Sequence, residues 1–397
     1  MKCKKILLPF IVLSIIGCAL FIGGAAAVGK KVKLSIICDE ITLPQKDYVL
    51  DFFTVAKVKI IYGGDYERLS QNEYSGNDKE CLRHLNNDLC ADIENLADRI
   101  YRDKSDAECG FDSGAFRYRD EEPGRYIDVD RLCRMIVERL DKEAVVEISS
   151  DPIYPEITVE ELMANTKLLS EFSTVVKGTE NRKKNVALSL SKINNTVVQA
   201  GDRFSFNETV GERTEANGFL IAHVIKDGEF VDGVGGGVCQ ASTTVYNAWL
   251  RSGLAVEKAT AHSLPVSYVP PSLDAMVSES SDLILRNDSD YPIYIWARCI
   301  GNEAFVSLYG RPSEYEVKTR SVTIKTLPSK YEIVDEEVEW CEDESERILK
   351  RAKDGLVSES YRDYYKDGIL VKTEKLRRNE YRAQDGAKAI RQEASVG

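Results

Sequence analysis

The stretch of sequence that decides the fold is residues 233–250, GVGGGVCQASTTVYNAWL. Its glycine turn consists of Gly235, Gly236 and Gly237. An apolar stripe at helical spacing follows, made of Ala241, Val245, Ala248 and Trp249. Gly253 is a helix stop signal. The pattern predicts a helix that begins near Cys239, directly behind a backbone turn without side chains.

A thiol in the first turn of a helix lies where unpaired backbone N–H groups and the helix dipole favour an anion. Such a position lowers the pKa of a cysteine, and the thiolate is the nucleophilic form. The preceding glycines allow close approach of backbone and substrate, and their N–H groups could face a developing oxyanion. The sequence therefore predicts a nucleophile at Cys239. The structural alternative is a small buried residue beside a tight turn.

A nucleophilic cysteine requires a base, and the chain contains only three histidines, His84, His223 and His262. We favour His262, because a short strand after the helix turns back there and brings it alongside Cys239. Asp274, twelve residues further on, is the candidate that orients the imidazole. The order cysteine, histidine, aspartate is similar to that of transglutaminase-like and papain-like enzymes, although the spacing between cysteine and histidine is shorter here. A purely structural role for His262 stays open.

The N-terminus carries an uncharged apolar run at residues 6–28, preceded by three lysines. A run of this length is sufficient to span a bilayer, and the lysines orient it with the N-terminus inside. We predict a cytoplasmic tip and membrane anchor over 1–30, a single-pass membrane protein, and an extracytoplasmic remainder. Two alternatives are a signal peptide cleaved near 25–27 and a lipoprotein anchored at Cys18. The anchor and both alternatives place the rest of the chain outside the cytoplasm.

The chain has 397 residues, 10 cysteines and a net charge of −12. The acidic balance argues against nucleic acid as a partner. No metal-ligand spacing occurs, and GVGGGV lacks the residues of a nucleotide-binding loop, so we predict no metal and no cofactor. In an oxidising compartment we expect at least one disulfide among five cysteines of the N-terminal part. They are Cys38, Cys81, Cys90, Cys109 and Cys133.

Alternating strand and helix patterns predict an α+β fold in three parts after the anchor. Residues 31–155 are predicted to form a small α+β domain, with a polar, solvent-facing insertion over 65–125 that carries cysteines. Residues 165–312 are predicted to form a second domain with a mostly antiparallel sheet and the Cys239 helix. Residues 313–397 are predicted to form a short β tail whose last sixteen residues are frayed.

The sequence resembles the VanW family, named from vancomycin-resistance gene clusters. The matching stretches are NRKKNVALSLSKINNTVVQAGDRFSFNETVGERTEANGF, GGGVCQASTTVYNAWLRSGL, HSLPVSYVPPSLDAMV and RNDSDYPIYIWA. They cover roughly 165–310. The preceding region resembles the peptidoglycan-binding domain that often comes before VanW, and the tail faintly resembles the glycine-containing β module that often follows it.

The resemblance implies an envelope location and a link to peptidoglycan or glycopeptide stress, but no defined reaction. His262 and Asp274 match the family pattern, whereas His223 stands where proline is more usual. The residues around Cys239 that we assign to substrate binding also match the family pattern: Gly235, Gly236, Gly237, Gln240, Ser242, Thr243 and Tyr246. The leading hypothesis is cysteine-dependent acyl transfer or amide hydrolysis on peptidoglycan or its precursors. The alternative is a non-catalytic peptidoglycan-binding or scaffold module.

Overall fold

The fold is predominantly β, with 46% strand and 21% helix in a computed structural model. The structure describes residues 30–50, 86–139, 144–226, 229–335 and 345–391. The predicted α+β class is therefore wrong. The C-terminal region, which was predicted as a β tail, adds two three-stranded sheets and no helix among its described residues. The described residues divide into two compact units.

The first unit comprises the described residues up to Ala107 together with Asp120–Thr158. Its main sheet has the order β2-β1-β6, in which β1 pairs antiparallel with β2 and parallel with β6. The strands are β1 (Lys30–Cys38), β2 (Ile41–Leu50), β5 (Gly124–Tyr126), β6 (Ala144–Ile148) and β7 (Asp151–Ile153). The helices are α1 (Asn87–Ile100) and α2 (Val129–Glu138). Leu132 and Ile136 of α2 are fully buried, as their fourfold spacing predicts.

The predicted polar insertion is not uniformly solvent-facing. Its helix α1 begins behind Asn86, whose side chain accepts a hydrogen bond from the Leu89 backbone N–H. Four apolar residues of α1 are at most 1% exposed: Leu89, Ile93, Leu96 and Ile100. The many charged residues between them obscured this stripe in the sequence. Part of the insertion, residues 51–85, lies outside the described residues.

The second unit comprises Glu108–Arg119 and the described residues from Val159 onward. Its central antiparallel sheet has the order β8-β16-β15-β9. These strands are β8 (Lys167–Val175), β9 (Val197–Val198), β15 (Ile293–Ile300) and β16 (Glu303–Gly310). Helices α4 (Glu180–Ile193) and α6 (Val238–Arg251) share one hydrophobic core with this sheet. Val186, Leu190 and Ile193 are buried in that core, which confirms the predicted apolar face of α4.

Shorter elements complete this part of the second unit. The strands are β3 (Glu108–Asp112), β4 (Ala115–Arg119), β10 (Arg203–Ser205), β11 (Ile221–Lys226), β12 (Glu229–Val234), β13 (Ala255–Lys258) and β14 (Ile284–Arg286). The helices are α3 (Val159–Ala164), α5 (Phe206–Val210) and a 3₁₀ turn (Glu215–Asn217). Directly before the Cys239 helix, β11 pairs antiparallel with β12. The β3–β4 hairpin packs aromatic rings on the central sheet, with Phe116 5.0 Å from Tyr294.

The C-terminal region of the second unit is built almost entirely of strands. They are β17 (Glu316–Leu327), β18 (Tyr331–Ile333), β19 (Glu346–Lys350), β20 (Gly355–Lys366), β21 (Ile369–Tyr381) and β22 (Gly386–Ile390). Two sheets result, β17-β20-β21 and β18-β22-β19. The predicted turn at Asp367 and Gly368 is confirmed by their positive φ values. The predicted frayed end is wrong in part, because β22 pairs with two strands.

The predicted membrane anchoring and single-pass localisation are corrected by the structure. Residues 6–28 lie outside the described residues, and the described part of the chain contains no helix long and apolar enough to cross a membrane. The apolar run alone therefore does not establish a spanning helix. The expected disulfide is likewise not found between the described cysteines, and Cys81 lies outside them.

The glycine turn before α6 is a point of close backbone approach. Gly235 and Gly237 have positive φ values of 87° and 110°. Gly236 is different: a Cβ placed on it would lie 2.6 Å from the His223 carbonyl oxygen and 2.8 Å from the Ala222 Cβ. The turn is therefore packed against β11, and Gly236 is required by contact rather than by an unusual φ.

We predict that Gly236→Ala lowers the free energy of unfolding by about 1–3 kcal/mol, because its methyl group would force backbone atoms apart. Gly110→Ala is the matched control, since the nearest atom to a Cβ there is 4.0 Å away. Urea unfolding of both variants measures the difference. Equal midpoints for Gly236→Ala and the parent would contradict the packing argument.

Candidate active site

Cys239 occupies the position in the first turn of α6 that its sequence predicts. The helix begins at Val238, with Gly237 as its N-cap residue in a left-handed conformation. The cysteine is partly exposed, and its Sγ donates a hydrogen bond to the Val277 carbonyl oxygen at 3.3 Å. The thiol thus lies between the start of the helix and the segment that follows Asp274.

His262 and Asp274 are brought together in the core. The His262 Nδ1 lies 2.6 Å from Asp274 Oδ2, and the His262 backbone N–H donates to the same oxygen at 2.7 Å. His262 is 6% exposed and Asp274 is 0% exposed. Because Nδ1 is engaged by the carboxylate, Nε2 is the ring nitrogen left to interact with the Cys239 sulfur. Ring orientation and tautomer are set together by this arrangement.

The electrostatics of the three groups reinforce each other. Burial opposes the charge on His262, but hydrogen bonds to Asp274 and Cys239 prevail and raise its pKa to about 9. Burial also opposes a thiolate at Cys239, yet the hydrogen bond and positive charge of His262 lower the pKa of that thiol. The pKa of Asp274 is lowered by its hydrogen bonds in spite of burial. The pKa changes of His262 and Cys239 both run in the direction of a thiolate–imidazolium pair with Asp274 ionised, and forming that pair removes the proton that the thiol otherwise donates to Val277.

Two residues of the C-terminal strands complete the site, and neither was predicted from the sequence. The Tyr381 hydroxyl donates to Asp274 Oδ1 at 2.6 Å and accepts from the Ser272 backbone N–H at 2.6 Å. Arg377 donates to the backbone carbonyls of Ser272 and Asp274 and lies 3.5 Å from Asp274 Oδ1. Tyr381 is separated from Asp274 by 107 positions. No motif spacing in the sequence could have linked them.

Arg213 and Tyr268 also lie beside the thiol and were not predicted. The charge of Cys239 acts on both residues, and Tyr268 is hydrogen bonded to Thr243. Burial raises the pKa of Tyr268 strongly, so its hydroxyl stays protonated at neutral pH. The only sequence signal for Arg213 was its place in the family-like stretch that ends at Phe219.

The side chains predicted to bind substrate are engaged within the protein. Gln240 accepts from Arg182 at 2.8 Å and donates to the Val175 carbonyl, whereas Ser242 donates to the Ala275 carbonyl at 2.6 Å. Thr243 accepts from the Ala275 N–H at 2.9 Å, and the buried Tyr246 ring lies 5.3 Å from the Arg377 guanidinium. These contacts hold α6 against the loop that carries Asp274. A direct role of these side chains with substrate stays a prediction, as does that of the glycine turn.

His223 and a cavity, both in the second unit, are weaker candidates for a functional site. The His223 side chain is 68% exposed and pairs with Asp232 at 2.7 Å. A cavity of about 300 Å³ is lined by residues that include Leu168, Arg251 and Tyr315, but by none of the Cys239 site. No group of three or more potential metal ligands occurs among the residues that the structure describes.

The fold and this constellation define a domain with a cysteine–histidine–aspartate site at the start of a buried helix. Residues 181–309 match the family model described as VanW like protein, and the chain therefore contains a VanW-like domain. The predicted resemblance is confirmed. Cys239, His262 and Asp274 lie inside the matched residues, whereas Arg377 and Tyr381 lie beyond them.

Two relatives support the same assignment. The chain is 36% identical over 189 residues to the uncharacterized protein YoaR of Bacillus subtilis (strain 168), covering 47% of this chain and 61% of the relative. It is 28% identical over 123 residues to the vancomycin B-type resistance protein VanW of Enterococcus faecalis (strain ATCC 700802 / V583), covering 30% and 45%. The chain thus spans less than two thirds of either relative.

Among solved structures, the crystal structure of HP0197-G5 matches at 26% identity with a TM-score of 0.13. The match covers 20% of this chain and 99% of that one. A TM-score this low does not establish a shared fold.

We predict that His262 titrates near pH 9, because two hydrogen-bonded acceptors stabilise its charged form. Asp274→Asn should bring its pKa back toward 6.5, since the amide no longer stabilises the imidazolium. NMR titration can resolve the three histidines, with His223→Ala assigning the exposed ring. An unchanged His262 pKa in Asp274→Asn would contradict the pairing.

We predict that Tyr381→Phe lowers the free energy of unfolding by about 1.5–3 kcal/mol, because a buried carboxylate oxygen loses its hydroxyl partner. The matched control is Tyr365→Phe, since the Tyr365 hydroxyl has no hydrogen-bond partner in the described part of the chain. Chemical denaturation compares the two. A loss no larger than that of the control would show that Tyr381 does not support Asp274.

Proposed function

We propose that the VanW-like domain is a cysteine-dependent enzyme that transfers or hydrolyses acyl groups of peptide amides, with Cys239 as nucleophile. The observation that carries this proposal is the buried His262–Asp274 pair beside a partly exposed thiol whose pKa is lowered. A structural cysteine does not require an oriented, charged imidazole next to it. An activated nucleophile does, because the thiolate rather than the thiol attacks.

The reaction would proceed in two balanced steps. The Cys239 thiolate attacks the amide carbonyl carbon, and the carbonyl electron pair moves to oxygen. When the carbonyl re-forms, the C–N bond breaks and the His262 imidazolium gives its proton to the leaving amine, which leaves a thioester on Cys239. Water or an acceptor amine then attacks the thioester while His262 takes its proton. The C–S bond breaks and the thiolate is restored.

The environment of the thiol supports this chemistry. Cys239 is in the first turn of α6, where the helix dipole stabilises negative charge. Asp274 holds the ring so that Nε2, the nitrogen not bonded to the carboxylate, faces the reacting groups. The glycine turn leaves Gly235, Gly236 and Gly237 without side chains, and only Val238 separates it from the nucleophile.

Peptides of peptidoglycan or its precursors are the substrate class we propose, in the cell envelope. The support is the similarity to a protein named for vancomycin B-type resistance, together with the envelope role that the family resemblance implies. The competing function is a non-catalytic binding module. The hydrogen bonds of Gln240, Ser242 and Thr243 to other groups of the protein favour this alternative, because side chains bonded in this way stabilise the structure.

Thiol alkylation separates the two functions. At pH 6–7 an unperturbed cysteine is only about 1% thiolate, so an activated Cys239 should label fastest with iodoacetamide. His262→Ala should slow that labelling at least about tenfold, because the thiolate loses its stabilising charge. Peptide mapping after brief exposure of the reduced protein measures each site.

Two internal comparisons control this experiment. Cys299 is exposed, and partial desolvation raises the pKa of its thiol, so it should label slowly under the same conditions. His223→Ala removes an exposed histidine and should leave Cys239 unaffected. A Cys239 that labels only after denaturation would refute the enzyme and leave the binding module.

A further inference from the structure

Arg213 is a half-buried arginine beside the reactive thiol. Its side chain packs on the glycine turn, where a Cβ on Gly235 would lie 3.0 Å from the Arg213 Cβ and 3.6 Å from Val238 Cγ2. The Arg213 side chain therefore lies against the glycine turn that leads into the Cys239 helix. Desolvation lowers the pKa of its guanidinium, as expected for a cation withdrawn from water.

A neutral anchor holds this guanidinium. Arg213 donates to the side-chain oxygen of Asn207, and the Asn207 amide nitrogen donates to the carbonyls of Ser278 and Ser281 at 2.9 and 3.0 Å. The neighbouring carbonyl of Val277 accepts from the Cys239 sulfur. Cys239 is thus hydrogen bonded to Val277, and Arg213 is linked through Asn207 to the adjacent Ser278.

The guanidinium has no carboxylate partner within ion-pair distance in the described part of the chain. Asp282 and Glu279 influence it only at longer range. By contrast, Arg362 and Arg320 of the same unit each pair with a carboxylate. A desolvated arginine that is bonded to a neutral amide and to no carboxylate retains donors for a planar, bidentate anion.

We propose that Arg213 binds a carboxylate of the substrate, so that the amide attacked by Cys239 lies beside a free carboxylate, as at a peptide C-terminus. This inference rests on the proposed nucleophilic role of Cys239 and deepens it by naming the substrate class. Arg213 is then a specificity residue. Asn207 is its positioning residue, because it holds the guanidinium without neutralising its charge.

Two alkylating reagents test this assignment without a known substrate. Iodoacetate carries a carboxylate and iodoacetamide is its neutral analogue; both form a C–S bond and release iodide. For each variant, the ratio of the two Cys239 labelling rates is divided by the same ratio for free glutathione. The native protein should favour iodoacetate relative to glutathione, and Arg213→Gln should reduce this preference about tenfold.

Control variants separate recognition from general charge. Arg203→Gln removes an exposed arginine that pairs with Glu257 and should leave the ratio unchanged. Arg213→Lys keeps the charge and should retain part of the preference, which also shows that the site tolerates substitution. Thermal melting confirms that each variant is folded before labelling.

The outcomes distinguish this inference from the proposed function. If Arg213→Gln slows both reagents equally, Arg213 only stabilises the thiolate and the carboxylate assignment is overturned while the nucleophile stands. A native protein whose ratio equals that of glutathione overturns it in the same way. If neither reagent labels native Cys239, the proposed function fails and the substrate assignment fails with it.

Discussion

The site depends on one buried carboxylate whose two oxygens are both occupied. Asp274 is fully removed from solvent, and an isolated charge at such a place would be very costly. Oδ2 accepts from the backbone and the ring of His262, and Oδ1 accepts from Tyr381. The two partner residues come from different parts of the chain, so placing this carboxylate fixes the segment that carries His262 and the last strands relative to each other.

The polar face of α6 follows from the same constraint. Ser242, Thr243 and Asn247 are buried and bind backbone groups of residues 273–275. A helix at the centre of a core would ordinarily be apolar on every face. Here it bonds a loop that has no regular ladder of its own, so the hydroxyl and amide groups replace strand pairing. The cost of burying them is offset by these hydrogen bonds, which hold the loop that carries Asp274.

The C-terminal strands contribute to the site although the family match ends at residue 309. Beyond the Asp274 contacts, Arg362 donates to the Leu254 carbonyl at 2.8 Å, and Ser358 and Ser272 share a buried hydroxyl contact at 2.6 Å. Through these polar contacts, β20 and β21 pack against the loops around Cys239. The C-terminal strands therefore help to hold the site in place, which is a structural reason for their presence after this domain.

The sequence by itself determined the local elements and the position of Cys239 in the first turn of α6. Glycines before Cys239, helical spacing after it and the short return to His262 are local patterns, and such patterns report conformation over a few residues. The helical stripe of α1 was missed because charged residues surround it, whereas the β character of the tail was predicted from its sequence. Only the tertiary structure decided that Tyr381, Arg377 and Arg213 join the site. Hydrogen bonds across 107 positions depend on how the chain folds back, and no periodicity or spacing in a sequence encodes that distance.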